Sequence, residues 1–139
     1  MNRKASAHWE GTLKEGKGHV TTQSTTLNKT QFSFKTRFEQ GVGTNPEELI
    51  AAAHAGCFTM QVGATLTQAG LNPTSLDTEA TLDFDMAVPA IKGIHLELTG
   101  KVSGLTNEKF QEIATGAKEK CIISRALSVP ITMKATLLP

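Results

Sequence analysis

Apolar and polar residues alternate most regularly in the middle of the chain. Leu76, Thr78, Ala80, Leu82, Phe84 and Met86 fall on one face of an extended segment, and Asp77, Glu79, Thr81, Asp83 and Asp85 fall on the other. A period of two marks a strand with one buried face. After Val88-Pro89-Ala90 the pattern resumes, with Ile94, Leu96, Leu98 and Val102 inward and His95, Glu97, Thr99 and Lys101 outward. These two runs predict a hairpin with one wet face. Val129, Ile131, Met133, Ala135 and Leu137 predict a last alternating strand. Near the start, Lys4–Glu10, His19–Thr26 and Phe32–Phe38 read as short strands of an antiparallel meander, separated by turn material at residues 14–18 and 27–29.

Residues 41–46 break this pattern and open a helix. Asn45 is a good N-cap, Pro46 suits the first helical position, and Glu47 and Glu48 complement the positive end of the helix dipole. The helix is expected to run to Ala69 and stop at Gly70. Asn107 is expected to cap a second helix with an apolar stripe of Phe110, Ile113, Ala114 and Ala117. The fold class is α+β, with antiparallel sheets and a long buried central helix in a single domain over residues 1–139. Leu49–Ala53 and Ala55–Phe58 make the first helix apolar on every side, so it wants burial all round. With only 5% aromatic residues the chain has little material to surround it, which predicts a homodimer with this helix near its centre.

Charge narrows the classes of function. The balance of 14 Lys+Arg against 13 Asp+Glu leaves +1, with no run of more than two like charges. Neither a nucleic acid nor an anionic membrane surface is an expected partner. The first residues lack the apolar stretch of a secretion signal, and no uninterrupted apolar run reaches the roughly 20 residues that cross a bilayer. A soluble, cytoplasmic protein is expected. In that compartment structural disulfides are rare, so Cys57 and Cys121 read as free thiols, a catalytic pair or metal ligands.

Cys57 lies in the apolar helix, where burial alone would raise its pKa and leave it inert. It is about twelve residues from the helix start, beyond reach of the dipole, which acts within the first turn. A reactive Cys57 therefore needs a cation from elsewhere, and Arg37, at the end of the preceding predicted strand, is the best candidate; a solvated strand-end charge is the plain alternative. Glu47 has a structural task at the helix start. It lies roughly 15 Å along the helix from Cys57, too far for contact, so a part in the thiolate site would come across a dimer by accepting a bidentate pair from Arg37. Cys121, flanked by Lys118, Lys120 and Arg125, falls where one helix ends and another short turn begins, and suits a thiol that attacks second. It can equally be an incidental, half-buried thiol.

The segment from Thr44-Asn45-Pro46-Glu47-Glu48 through His54-Ala55-Gly56-Cys57-Phe58, with His8-Trp9-Glu10-Gly11, Thr36-Arg37-Phe38 and Cys121-x-x-Ser124, resembles the OsmC/Ohr family of thiol-dependent peroxidases over nearly the whole chain. The start and the position of Arg37 resemble the OsmC branch. The resemblance implies an intertwined homodimer that reduces organic hydroperoxides to alcohols in defence against oxidative or osmotic stress. It implies Cys57 as the peroxidatic thiol, Cys121 as the resolving thiol, Arg37 and Glu47 as their assistants, and a Cys57–Cys121 disulfide. No bound cofactor is implied; an external dithiol, a lipoylated protein by family preference, would restore the thiols. The chain departs from the pattern at Ile122, where relatives often carry proline. Phe32, Phe34, Phe38, Phe58 and Met60 could line an apolar mouth for alkyl or lipid hydroperoxides, or be core. Two other readings stay open: a zinc site of Cys57, Cys121 and His54, and a non-enzymatic dimeric binding protein with incidental thiols. A protease-type Cys57/His54 pair lacks an orienting third residue.

Overall fold

The structure, a computed structural model, describes every residue from Met1 to Pro139. These residues pack as two compact units, Met1–Leu49 and Ile50–Pro139. The first is a three-stranded antiparallel sheet of β1 (Ala5–Glu10), β2 (Lys17–Thr22) and β3 (Thr30–Phe32), in that order. Gly18 sits between Trp9 and Phe32 of the flanking strands, and a Cβ there would lie 2.7 Å from both rings. Glycine is thus what lets the two aromatic rings approach across the sheet.

Two of the predicted N-terminal strands are shorter than their sequence pattern. β2 stops at Thr22 because the chain folds back: the Thr22 N–H donates to the Leu27 carbonyl at 2.9 Å, with Thr25 at φ +60°. Phe32–Phe38 is not a strand. After Phe32 the chain enters the helix α1 (Phe34–Phe38), opened by a capping box in which Ser33 Oγ accepts the Thr36 N–H at 3.3 Å and Thr36 Oγ1 accepts the Ser33 N–H at 2.8 Å. Those reciprocal bonds satisfy donors that a strand would have left to a neighbour.

The helix α2 (Pro46–Gln68) begins as expected, with Asn45 Oδ1 accepting the Glu48 N–H at 2.8 Å. It closes at Gly70, whose φ of +75° lets the Leu71 N–H return to the Leu66 carbonyl at 2.9 Å. In the second unit β4 (Pro73–Asp85) and β5 (Ala90–Val102) form the predicted antiparallel hairpin. Asp85 Oδ1 holds the turn by accepting the Ala87 and Val88 N–H groups at 2.9 and 3.3 Å, which leaves Met86 exposed in the turn instead of on the inward face. Thr106, not Asn107, caps α3 (Asn107–Lys120), its hydroxyl accepting the Lys109 N–H at 3.3 Å.

A short α4 (Ile122–Ala126) follows, and β6 (Ile131–Leu138) joins β5 in parallel, giving the order β4-β5-β6. The sheet is therefore mixed, not antiparallel throughout, because α3 and α4 form a crossover that returns the chain to the same end of β5. The core of this unit gathers Phe58, Val62 and Leu66 of α2, Ile94, Leu96 and Leu98 of β5, and Phe110, Ile113 and Ala114 of α3. The inward faces of β4, β5 and β6 and the stripe of α3 are those the alternation predicts.

Within one chain the central helix is buried on one side, and the burial expected on its other side is assigned to a second copy. His54, Phe58, Val62 and Leu66, four residues apart, are fully buried, whereas Ala52, Gly56, Met60 and Ala64 on the opposite side are exposed. By length and composition α2 could cross a membrane. Its apolar run is nevertheless interrupted by Thr59, Gln61 and Thr65, and the Thr59 and Thr65 hydroxyls donate back to helix carbonyls. A single fully buried stripe packed on a sheet is the arrangement of a core helix.

Candidate active site

Folding brings together the two cysteines that lie 64 positions apart: their sulfurs are 3.0 Å from each other, and both are free thiols. Cys57 is half-buried one helical turn after His54; Cys121 is fully buried at the junction where it ends α3 and begins α4. The junction is a tight one. The Cys121 N–H closes α3 on the Ala117 carbonyl at 2.9 Å, and its sulfur accepts the Ser124 N–H at 3.5 Å in the manner of an N-cap side chain. The short turn expected after Cys121 is thus the helix that aims its sulfur.

The surroundings treat the two thiols differently. Burial pushes the Cys57 thiol up; the Ile123 N–H offsets this in part, the adjacent Cys121 sulfur raises it further, and the Ile122 N–H lowers it. Burial pushes Cys121 up as well. The Ser124 N–H, the Cys57 thiol, the Ser124 hydroxyl and the Ile123 N–H outweigh that, and Cys121 ends below the usual thiol value. The two sulfurs are close enough to share one proton, and either can donate along the line between them. The donors on Cys121 favour negative charge there over Cys57.

His54 is fully buried on α2, with Nε2 2.7 Å from Ser124 Oγ and Nδ1 without a partner. Burial lowers its pKa and keeps the ring neutral. It is therefore committed to Ser124, and no three His, Cys, Asp or Glu side chains are grouped to hold a metal ion. Sequence reasoning considered His54 as a metal ligand and overlooked its bond to Ser124. The available signal was the Cys121-x-x-Ser124 spacing, which is that of an N-cap and the third residue of its helix.

In the unit Met1–Leu49, Arg37 and Glu47 form the predicted pair. Arg37 lies on α1, not at a strand end, because the capping box of Ser33 turns the chain into a helix before it. Its Nε and Nη2 both donate to Glu47 Oε1, at 2.9 and 2.8 Å, so the fork converges on one carboxylate oxygen instead of spanning two. Glu47 Oε2 is buried with no partner. Glu48, its neighbour in the first turn of α2, accepts the Thr44 hydroxyl at 2.6 Å instead. Around Arg37 a cavity of about 280 Å³ is lined by Trp9, Leu13, Phe32, Ser33, Phe34 and Phe38. Three of the five residues expected at an apolar mouth are there; Phe58 is core, and Met60 is exposed on α2.

The profile of a family described as OsmC-like protein matches residues 39–135. The chain is 45% identical over 135 residues to the peroxiredoxin OsmC of Escherichia coli, covering 96% of this chain and 94% of that protein. It is 33% identical over 100 residues to the organic hydroperoxide resistance protein of Xanthomonas axonopodis, covering 70% of this chain and 68% of that one. Among solved structures, the OsmC-like protein of Mycoplasma pneumoniae shares the fold with a TM-score of 0.78 at 11% identity, covering 100% of this chain and 99% of that one. The OhrB protein of Bacillus subtilis shares it with a TM-score of 0.63 at 24% identity, covering 97% and 98%.

Proposed function

The chain belongs to the OsmC-like protein family and is a hydroperoxide peroxidase, and we propose that it performs this chemistry with Cys57 and Cys121 on organic hydroperoxides. The observation that carries the reading is the 3.0 Å approach of two free sulfurs from distant parts of the chain, one half-buried and one fully buried. The Cys57 thiolate attacks the outer peroxide oxygen. The O–O bond breaks, the alkoxide leaves and takes a proton to become the alcohol, and Cys57 is left as a sulfenic acid. The Cys121 thiolate then attacks that sulfur, the S–O bond breaks, hydroxide leaves and takes a proton, and a Cys57–Cys121 disulfide forms. One hydroperoxide and two thiols thus yield one alcohol, one water and one disulfide. An external dithiol reduces the disulfide by exchange, and a lipoylated protein is the class of reductant we assign to it.

Because the surroundings of Cys57 push its thiol up, it needs a cation when peroxide binds. We assign that task to Arg37, held by Glu47 and supplied by a second copy of the chain in a homodimer. An arginine there lowers the thiol pKa and stabilises charge on the breaking O–O bond. The aromatic cavity around Arg37 suits the alkyl part of an organic or lipid hydroperoxide. Free thiols and this chemistry accord with a cytoplasmic setting and a role in defence against oxidative stress.

The test is non-reducing mass spectrometry after one equivalent of cumene hydroperoxide. The native chain is expected to lose two hydrogens, and Cys121→Ser to gain one oxygen trapped on Cys57. Two unmodified thiols in the native chain would sink the mechanism.

A further inference from the structure

The buried His54 and the half-buried Ser124 carry out no step in the reaction above, yet they connect to the Cys121 sulfur. His54 is fully buried, three residues before Cys57 on α2, and its Nε2 lies 2.7 Å from Ser124 Oγ. Ser124 in turn presents its backbone N–H to Cys121 Sγ at 3.5 Å, and its hydroxyl is among the groups that lower that thiol.

The tautomer follows from the atom left over. His54 Nδ1 is buried and has no partner. If Nδ1 carried the ring proton, a buried N–H would have no acceptor; if Nε2 carries it, Nδ1 presents only a lone pair. Orphaned buried N–H groups are rarer than under-satisfied acceptors, so the proton belongs on Nε2. Nε2–H then donates to Ser124 Oγ, and the single hydroxyl proton of Ser124 is free to point at Cys121. Each bond polarises the next, which strengthens a chain of this kind in a dry interior.

We propose that His54 and Ser124 form a hydrogen-bond relay, His54 Nε2–H to Ser124 Oγ–H to Cys121 Sγ, that makes them positioning residues for disulfide closure. The relay favours the thiolate form of Cys121 and aims its sulfur at Cys57, so that closure begins once Cys57 is oxidised. The role in closure rests on the two-cysteine reading; the effect on Cys121 itself does not. Burial favours the neutral ring and hence the donor arrangement. The other titratable group on α2 facing Cys121 is Cys57. Of the charged groups on its own and the following helix, Lys118 is turned to the Ile131 carbonyl at 3.4 Å, while Lys120 and Arg125 are exposed. No charged side chain is among the causes that lower Cys121, which leaves the relay as the adjustable one.

Two measurements test this. In a Cys57→Ser background, the pH dependence of iodoacetamide alkylation gives the Cys121 titration midpoint, expected to rise by about one unit on adding Ser124→Ala or His54→Leu, and to be restored by His54→Gln, whose amide N–H can replace Nε2–H. With both cysteines present, rapid-quench mass spectrometry follows the Cys57 sulfenic acid, expected to close up to about threefold more slowly in Ser124→Ala. A one-unit rise lowers the thiolate fraction by at most about tenfold, reached where pH lies below the midpoint, and the greater nucleophilicity of the more basic thiol returns about threefold. Should His54→Leu fail to fold, Ser124→Ala decides alone. An unmoved midpoint would overturn the relay. A moved midpoint with no sulfenic acid in the native chain would keep the relay as a control on Cys121 and remove the peroxidase mechanism.

Discussion

Arg37 shows how much rests on one side chain. Both Nε and Nη2 grip a single oxygen of Glu47 at 2.9 and 2.8 Å, so the guanidinium is oriented before any substrate arrives. Arg37→Met is expected to lower kcat/KM for cumene hydroperoxide about 10²- to 10³-fold, the usual cost of losing one oriented donor on a developing charge. Arg37→Lys is expected to recover little of this, since a point charge cannot reproduce the fork; steady-state turnover with a dithiol reductant checks both. His54 gives a prediction of stability. Its pKa in the fold is lowered by burial, so the unfolded chain binds the proton more readily. Stability attributable to the neutral ring is complete above the unfolded value near pH 6.5 and is lost as pH falls below it, by at most about tenfold in the unfolding constant per pH unit. Urea unfolding at pH 7.5 and 5.5 should show that loss in the native chain and less of it in His54→Gln. The identities of Cys57, Cys121, Arg37 and Glu47 were legible as candidates, but the spacing of Cys121 and Ser124 alone did not bring the Ser124 hydroxyl within 2.7 Å of His54.

At the level of elements, alternation was a good guide where one face is buried and a poor guide where caps compete. The stripes of β4, β5, β6 and α3 follow the apolar pattern because a misplaced register would bury Asp77, Glu79 and Asp83. Phe32–Phe38 also looks like a strand, yet Ser33 and Thr36 satisfy each other's backbone N–H groups and make a helix of it. Ser33→Ala and Thr106→Ala are each expected to cost about 1 kcal/mol in chemical denaturation. Ser33→Ala should also lower turnover, because the helix it caps carries Arg37. Gly100 is a position of close approach: a Cβ there would meet the ring of Phe110 at 2.5 Å. Gly100→Ala is expected to destabilise the second unit by about 1–3 kcal/mol through overpacking, read as a lower denaturation midpoint.

At the level of the whole molecule, the exposed side of α2 bears on the proposed homodimer. Ala52, Gly56, Met60 and Ala64 line it, with Met60 77% exposed. If a second copy covers this side, Met60→Glu should halve the mass measured by light scattering and lower turnover with it. A sharper test mixes two inactive variants. Unfolding and refolding Arg37→Met together with Cys57→Ser should restore about a quarter of native activity if arginine and thiol come from different copies, because half of the random pairs are mixed and each holds one intact site. Restoration of none would place each site within one chain. The sequence by itself determined the α+β class, the inward faces of the hairpin and last strand, and the residue types able to do thiol chemistry, because periodicity and side-chain chemistry are local properties. Only the tertiary structure decided that β6 runs parallel to β5, that the Arg37 fork converges on one oxygen of Glu47, and that two sulfurs 64 residues apart lie within 3.0 Å. Those outcomes depend on how a crossover returns and how caps turn the chain, and such long-range geometry leaves no period in the sequence.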